Sequence, residues 1–531
     1  MRTFHWLGAG AILLSLSACS VPEKNTQNDM AAYSPQWPDA PMYEIFVQSF
    51  ADSNGDSIGD IKGMTAKLDY LQDLGIKGLW LMPMSPSPSY HKYDVTDYYG
   101  IHPDYGTLED FKNFVQEAHK RDIKVVIDLV VNHTAYDHPW FQEALKDKNS
   151  PYRDYYVWAK EQDIKDQIAK KETHFDSDNI NQWHKAPGNE ELYYGYFWGG
   201  MPDLNFDNPK VKEEVFNIGR FWLQEVQVDG FRLDAARHIF PDERATDNHN
   251  FWVEFKAEMQ KIKPDVYTVG EIWSKMEVTA PYAKGFSAFF NFDLAFGILE
   301  SVNNEKNTAI SIAGHSYETR NDVSLISALE LSRKTFFGIN PDFHDAIFLT
   351  NHDQNRVMSV LGGNVEKAKL AASILLTLPG TPYLYYGEEI GMLGTKPDPE
   401  IREPFLWDVK AKDAIRTAWT PSRQTNDSTV RPLAVQMADS TSLFAHYKNL
   451  LKVRNASEVL SIGEVKGVDL NNVALMAYTR YTATDSLLVI HNLSSEAQAI
   501  RLPAGWKNAQ AHFGILNKQQ LDARKTLILH Q

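Results

Sequence analysis

The sequence predicts an α/β protein: a (β/α)8 barrel with an inserted domain after strand 3 and a C-terminal antiparallel β domain. Three observations predict it. Eight short, mostly continuous apolar runs alternate with helix-patterned segments between Tyr43 and Val453, as in a parallel sheet buried on both faces. Three of the runs close on an acid: Asp234 in GFRLDAARH, Glu271 in VGEIW and Asp353 in FLTNHDQNR. Carboxylates at strand ends are what a barrel's C-terminal rim collects into an active site. Finally, 531 residues are too many for one simple core, so a barrel-sized domain plus smaller ones is the natural division.

In chain order, residues 1–19 read as a signal segment. Arg2 gives a positive start, Leu7–Leu16 is apolar, and Leu16-Ser17-Ala18-Cys19 follows; the run is too short to span a bilayer. A small-residue pair before a Cys resembles the bacterial lipobox. That resemblance implies export, cleavage and lipidation of Cys19, with membrane attachment through that lipid alone. Ser20 in place of Asp points to the outer membrane, on its periplasmic or surface face. Cys19 is the only cysteine, so no disulfide is expected. Residues 20–36 are polar and read as a tether.

The barrel takes 37–132 and 206–455. Its expected strands are Tyr43–Phe50, Gly78–Pro83, Val125–Val131, Gly230–Ala235, Val266–Trp273, Ala288–Asp293, Ala346–Asp353 and Tyr383–Glu388. Leu108, Phe111, Val115 and Ala118 repeat at helical spacing behind an N-cap at Thr107 with Asp110 at N3. Pro209 opens another helix, with Val211, Val215, Ile218, Phe221 and Trp222 on its apolar face. Residues 133–205, rich in Tyr, Trp, Asp and Asn, are too long for a βα loop and read as an inserted domain over the rim. Ala445–Val453 is the expected last barrel helix. Residues 456–531 form the β domain, with strands at Val473–Tyr481, Ser486–His491 and Gln498–Leu502.

Composition narrows the partners. A formal net charge of -16 disfavours nucleic acid and leaves a neutral substrate indifferent. The 13 Trp and 24 Tyr are flat rings that can stack on the apolar faces of sugars, though most are expected to pack the core.

Acetal cleavage needs a nucleophile or base on one side and a proton donor on the other. Arg232, two residues before Asp234, favours the ionised carboxylate there, so Asp234 suits a nucleophile. Glu271 stands between Val269 and Ile272–Trp273, apolar company that raises a carboxyl pKa and keeps a proton available. Asp353 follows Asn351 and His352, which can grip hydroxyls, and is read as binding and distorting the sugar ring.

DLVVNH (Asp128–His133), GFRLDAARH (Gly230–His238), GEIW (Gly270–Trp273) and TNHD (Thr350–Asp353) resemble, in order, the four signature regions of glycoside hydrolase family 13. MPDLN (Met201–Asn205) resembles its fifth region. The resemblance covers Trp37 to the C-terminus and implies a three-domain, α-amylase-like, retaining enzyme. It implies Asp234 as nucleophile, Glu271 as general acid/base and Asp353 as transition-state stabiliser, with Arg232, His133 and His352 in the substrate subsite. HKYDVTDYY resembles the family's GYDVTDY. This implies that Tyr93 stacks at the cleaved sugar and that Asp94 and Arg356 hold its hydroxyls; Lys92 stands where Gly is more usual.

Asp52, Asn54, Asp56, Ile58 (through its carbonyl) and Asp60 place oxygen donors at alternate positions, which suits Ca²⁺. It is not an EF-hand, because Ser57 and Gly63 replace its Gly and Glu. A similar loop binds Ca²⁺ in some members of the family. The family also implies a second Ca²⁺ site at Asn132, Asp203 and the carbonyl of His238.

MPDLN lies between the QPDLN of oligo-1,6-glucosidases and the MPKLN of neopullulanases. GFRLDAARH leans toward amylases and cyclodextrin-degrading enzymes. The expected activity is therefore hydrolysis of internal α-1,4-glucosidic bonds in starch or maltodextrins. An exo-acting α-glucosidase or oligo-1,6-glucosidase and a cyclodextrin or neopullulan hydrolase are the alternatives. A non-catalytic glucan-binding protein is disfavoured by the three acids being present.

Overall fold

A computed structural model of the protein describes residues 33–170, 182–307, 309–313, 316–320 and 324–531, with side chains described outside 308–323. The expected signal segment with Cys19, and most of the expected tether, lie outside these residues. No helix among the described residues is long and apolar enough to cross a membrane.

Eight parallel strands close into a barrel: β1 (Met42–Ile45), β2 (Gly78–Leu81), β3 (Lys124–Leu129), β4 (Gly230–Leu233), β5 (Tyr267–Gly270), β6 (Ala288–Phe290), β7 (His344–Phe348) and β8 (Thr381–Tyr385). Neighbours in sequence are neighbours in space, and β1 pairs with β8 to close the ring. Alternate residues face opposite ways, as the pleat requires. Met42, Trp80, Val126, Val269, Phe290, Phe348 and Tyr383 fill the barrel. Tyr43, Leu79, Ile127, Phe231, Leu233 and Ile347 belong to the larger core that the helices cover. Burial on both faces explains why the runs lack polar alternation. Gly230 opens β4 because a Cβ there would stand 2.0 Å from the Tyr267 carbonyl oxygen.

All eight expected strands are present, but each stops earlier than its apolar run suggests. Val47–Phe50 is a helical turn, and the run ending at Asp293 has already entered the helix Phe292–Asn304, capped by Asn291. Burial at the rim outlasts the ladder, so hydrophobicity alone overextends the strands.

The helix Leu108–Lys120 carries the expected capping box, with Thr107 and Asp110 bonded reciprocally. The helix Pro209–Phe221 is capped by Asn208 and passes into a π-helical turn, Trp222–Val226. The last barrel helix is Leu443–Asn455.

Between β3 and β4 lies a three-stranded antiparallel sheet, Trp158–Lys160, Glu191–Tyr194 and Trp183–Lys185. Ile164, Trp183, Leu192 and Tyr194 form its own small core. Backbone bridges His133–Asp203 and Tyr156–Leu204 tie the segment's start and end together at the rim.

Beyond the barrel, Glu464–Gly467, Leu475–Tyr481, Ser486–Asn492, Thr526–His530 and Gln510–Phe513 form a five-stranded antiparallel sheet in that spatial order. Two buried arginines help fix it. Arg454 donates to the carbonyls of Leu376, Leu378 and Gly380, and Arg480 donates to those of Thr377 and Gly463. Both cap the negative end of the helix Val365–Thr377.

Candidate active site

The three expected acids line one cavity of about 410 Å³ at the C-terminal rim, together with Tyr93 and His133. Asp234 follows β4 directly, and Ala235 then takes a left-handed conformation (φ 46°) that starts the turn Ala236–His238. Glu271 follows β5, its backbone N–H donating to the Leu233 carbonyl at 3.1 Å. Adjacent strands therefore deliver the pair.

Arg232 organises them. Its guanidinium is buried. Nη1 donates to Asp128 (2.9 and 3.0 Å) and to Asp234 Oδ1 at 2.5 Å, and Nη2 donates to Glu271 Oε2. Burial lifts Glu271 to about 7, with Arg232 opposing the rise and the Asp234 and Asp353 charges adding to it. Burial likewise lifts Asp128 to about 6 against the pull of Arg232. Glu271 thus holds a proton near neutral pH, as a proton donor must.

Asp353 behaves in the opposite way. Burial disfavours its charge, but the His352 imidazole and the Arg402 guanidinium outweigh burial and hold it well below the usual carboxylate range. His352 Nε2 lies 3.1 Å from Asp353 Oδ2, and Arg402 Nη2 donates to Oδ1 at 2.9 Å. His352 bonds through Nδ1 to Glu44 on β1 at 2.6 Å. Burial lowers its proton affinity, but the Asp353 and Glu44 carboxylates raise it to about 9, so it is an imidazolium. Its Nε2 also reaches the Tyr93 hydroxyl at 2.7 Å, which donates to Asp128 Oδ2 at 3.0 Å.

Tyr93 lies flat against His352, with ring planes 11° apart. His133 is buried, its Nε2 3.1 Å from the Tyr93 carbonyl, and burial lowers its pKa.

Two expected residues stand elsewhere. Asp94 is turned into its own loop, where it accepts from the hydroxyls of Ser87 and Ser89, and it is not among the cavity's lining residues. Arg356 is buried in the wall behind the site. It donates to the Ile401 and Tyr386 carbonyls and lies over the rings of Tyr385 and Tyr386. Arg356 stands at the N-cap of the helix Val357–Val360 without a side-chain capping bond.

Arg402 supplies the cation at the cavity that the sequence reading gave to Arg356. It comes from a loop after β8, beside Asp398 and His91, both of which also line the cavity. Asp128 was visible as the first residue of DLVVNH, but its part in anchoring Arg232 was not. Arg402 and Asp398 have no strand-end signal. Phe197, Trp198 and Trp273 complete the lining.

The proposed cation donors differ in fit. In the loop 52–60, Asp52 accepts from the N–H groups of Asn54, Gly55 and Ser57, Asn54 from that of Asp56, and Asp56 from that of Ile58. These turns collect hard oxygen donors in one tight loop, which suits Ca²⁺. Asp60 instead caps the helix Ile61–Thr65 and holds Ser53. At the second set, the Asn132 amide donates to the His238 carbonyl at 2.6 Å. Asn54 likewise donates to Asp56 Oδ2 at 2.9 Å, but the loop offers Asp52 and Asp56 where this second set has Asp203 as its one carboxylate, so the second set fits a metal less well. Among the described residues no three His, Cys, Asp or Glu side chains gather as a metal-holding group.

Comparison with known proteins agrees with this geometry. Residues 44–463 match the family model for the alpha amylase catalytic domain, and 475–530 match that for the alpha-amylase SusG C-terminal domain. The chain is 46% identical to Alpha-amylase 3 of Dictyoglomus thermophilum over 460 residues, covering 87% of this chain and 86% of that one. It is 34% identical to a 4-alpha-glucanotransferase of Thermotoga neapolitana, covering 85% and 95%. The crystal structure of an alpha-amylase from H. orenii superposes with a TM-score of 0.82 at 40% identity, covering 93% of this chain and 99% of that one. The chain belongs to the α-amylase family, glycoside hydrolase family 13.

Proposed function

We propose that the protein is a retaining glycoside hydrolase that cleaves internal α-1,4-glucosidic bonds of starch or maltodextrins. One observation carries the retaining mechanism: Asp234 and Glu271 share the Arg232 guanidinium, and burial lifts Glu271 to about 7. Two carboxyls on one guanidinium suit the short separation of a retaining pair, roughly 5–5.5 Å, better than the roughly 6.5–9.5 Å of an inverting pair.

Asp234, held by the Arg232 guanidinium, attacks C1 from one face. Glu271 gives its proton to the departing oxygen on the other. The resulting glycosyl ester at Asp234 is opened by water, which returns a proton to Glu271. Asp353, kept anionic by His352 and Arg402, faces the positive charge that develops on the ring. Tyr93 offers its ring to the same sugar.

A maltoheptaoside blocked at its non-reducing end tests this. Internal fragments support endo action in an open cleft. An untouched blocked substrate whose unblocked counterpart is trimmed to glucose identifies an exo-acting α-glucosidase instead.

We also infer Ca²⁺ at the loop 52–60, held by Asp52, Asn54, Asp56 and the Ile58 carbonyl, where it would brace the rim beneath β1. The LSAC motif supports lipidation of Cys19 and an outer-membrane location. Loss of radiolabelled fatty acid from a Cys19→Ser chain tests that reading.

A further inference from the structure

Residues 33–41 close the barrel at the end opposite the catalytic cavity. Trp37 packs against the interior cluster and meets the Tyr267 ring edge-on, with centroids 5.0 Å apart. A Cβ at Gly78 would stand 2.9 Å from the Trp37 ring, so the glycine leaves the indole its place. The Thr381 hydroxyl donates to the Pro38 carbonyl at 2.7 Å, and His344 bonds to Asp39 at 2.9 Å. The N–H groups of Lys77 and Gly78 donate to the Pro41 carbonyl. Gly78, Tyr267, His344 and Thr381 are the first residues of β2, β5, β7 and β8. Asp234, Glu271 and Asp353 lie beyond the other ends of β4, β5 and β7. Upstream, Tyr33 stands beside Ser461 and Arg454, and Arg454 bonds the Leu378 and Gly380 carbonyls just ahead of β8. The chain therefore enters the fold on the face away from the acids.

Residues 20–32 are all that lie between Cys19 and Tyr33. Fully extended, a segment of that length reaches at most about 45 Å. With the rim turned toward a membrane, nearly all of that reach would be used. The link would climb the outside of the barrel, past a helix such as Leu443–Asn455, about 20 Å long, and then past the rim loops and the inserted segment. A chain held near full extension gives up most of its conformations. With the N-terminal mouth toward the membrane, no such stretch is needed. The charge on that face agrees. Lys77 is paired with Asp122 at 2.8 Å, and Lys124 and Lys263 with the buried Asp229 at 3.2 and 3.0 Å. These ions offset one another, whereas the whole chain carries -16, so anionic headgroups repel this face little.

Given the lipidation of Cys19 proposed above, on which this rests, we propose that the protein stands on the bilayer in one orientation. The N-terminal mouth of the barrel, closed by Trp37, faces the phospholipid surface, and the catalytic rim faces the bulk. The partner is the headgroup layer of the membrane that holds the anchor. A long α-glucan then reaches Asp234 and Glu271 from the open side, without passing between protein and membrane.

Cys19 is the only cysteine, and a lipid thioether at its sulfur takes up no thiol-reactive dye. An added cysteine is then the one labelled position. Lys284→Cys and Asp342→Cys, ahead of β6 and β7, report the face that holds Trp37; Glu243→Cys, between β4 and the helix Ala245–Gln260, reports the rim. The full-length proteins, carrying their lipid, are reconstituted into phosphatidylethanolamine–phosphatidylglycerol vesicles that contain an energy-acceptor lipid. Transfer from Lys284→Cys and Asp342→Cys should exceed that from Glu243→Cys about threefold or more, as a height difference of about 20 Å implies. Equal transfer from all three positions, or more from Glu243→Cys, overturns the orientation. Dye uptake by the unaltered chain means a free Cys19 thiol; it sinks the lipidation reading, and the orientation with it. Circular dichroism checks that each labelled protein is folded, and neither outcome depends on the hydrolase reading.

Discussion

Arg402 donates through Nη2 to Asp353 Oδ1 at 2.9 Å, and the same nitrogen lies 3.4 Å from Asp398 Oδ2. The carboxylate that faces the developing charge is thus gripped by a loop residue as well as by His352 at its other oxygen. Asp353 cannot turn without breaking a charge-assisted bond, and it cannot take up a proton at working pH.

That grip makes Arg402→Lys costly. A lysine keeps the charge but loses the planar fork that also donates from Nε to the His352 carbonyl. We expect kcat/KM to fall about 100-fold, the scale for one lost electrostatic contact in an active site. Arg356→Met should behave differently. It removes bonds to the Ile401 and Tyr386 carbonyls in a buried wall, so about 2–3 kcal/mol of stability is lost. Paired melting curves and kinetics distinguish the two. A larger kinetic loss for Arg356→Met than for Arg402→Lys would return Arg356 to the site.

Glu271 sets the alkaline limb. It is raised to about 7 by burial, and the protonated form is the one that cleaves glycosidic bonds. The proton is fully present well below pH 7 and lost above it, so kcat/KM on maltodextrins should fall about tenfold per pH unit beyond about 8. α-Maltosyl fluoride needs no proton on its leaving group, and its profile should lack this limb. The same limb with both substrates would move the titration to another group.

Most of the fold was legible because burial on both faces gives a barrel strand an unbroken apolar run, and eight such runs are hard to miss. The acids were legible because β4, β5 and β7 lead into them. What failed depended on side-chain direction. Arg356 stands close behind the TNHD motif, whereas Arg402 carries no strand-end signal; only the bonds of Arg356 to the Ile401 and Tyr386 carbonyls show that it points inward. Asp94 sits beside Tyr93 in a motif, yet Ser87 and Ser89, seven and five residues upstream, both donate to its Oδ1. The antiparallel hairpin Ala309–Ala313 and Ser316–Arg320 was not read either, since each strand is only five residues long.

The loop 52–60 predicts a metal dependence. Its donors are held by backbone turns, so removing Ca²⁺ leaves neighbouring oxygens to repel one another beneath the rim. Chelation should lower Tm by a few degrees, equivalent to about 1–3 kcal/mol, and Ca²⁺ should restore it. Asp56→Ala should abolish the response to both. A chelator response that survives Asp56→Ala would place the ion elsewhere.

Glu388 is buried behind β8, accepting from the Tyr447 hydroxyl at 2.8 Å, and burial lifts it to about 8. Its other oxygen, Oε2, has no hydrogen-bond partner. In the unfolded chain the same carboxyl ionises near 4.3. The folded state therefore binds the proton more tightly, and stability must fall as pH rises between those two values, levelling off above about 8. Glu388→Gln keeps the shape of the protonated acid and has no charge to bury. Its Tm should match the parent's near pH 5 and exceed it increasingly toward pH 8, by a few degrees. Parallel melting curves at every pH would mean that Glu388 ionises freely and that water reaches Oε2.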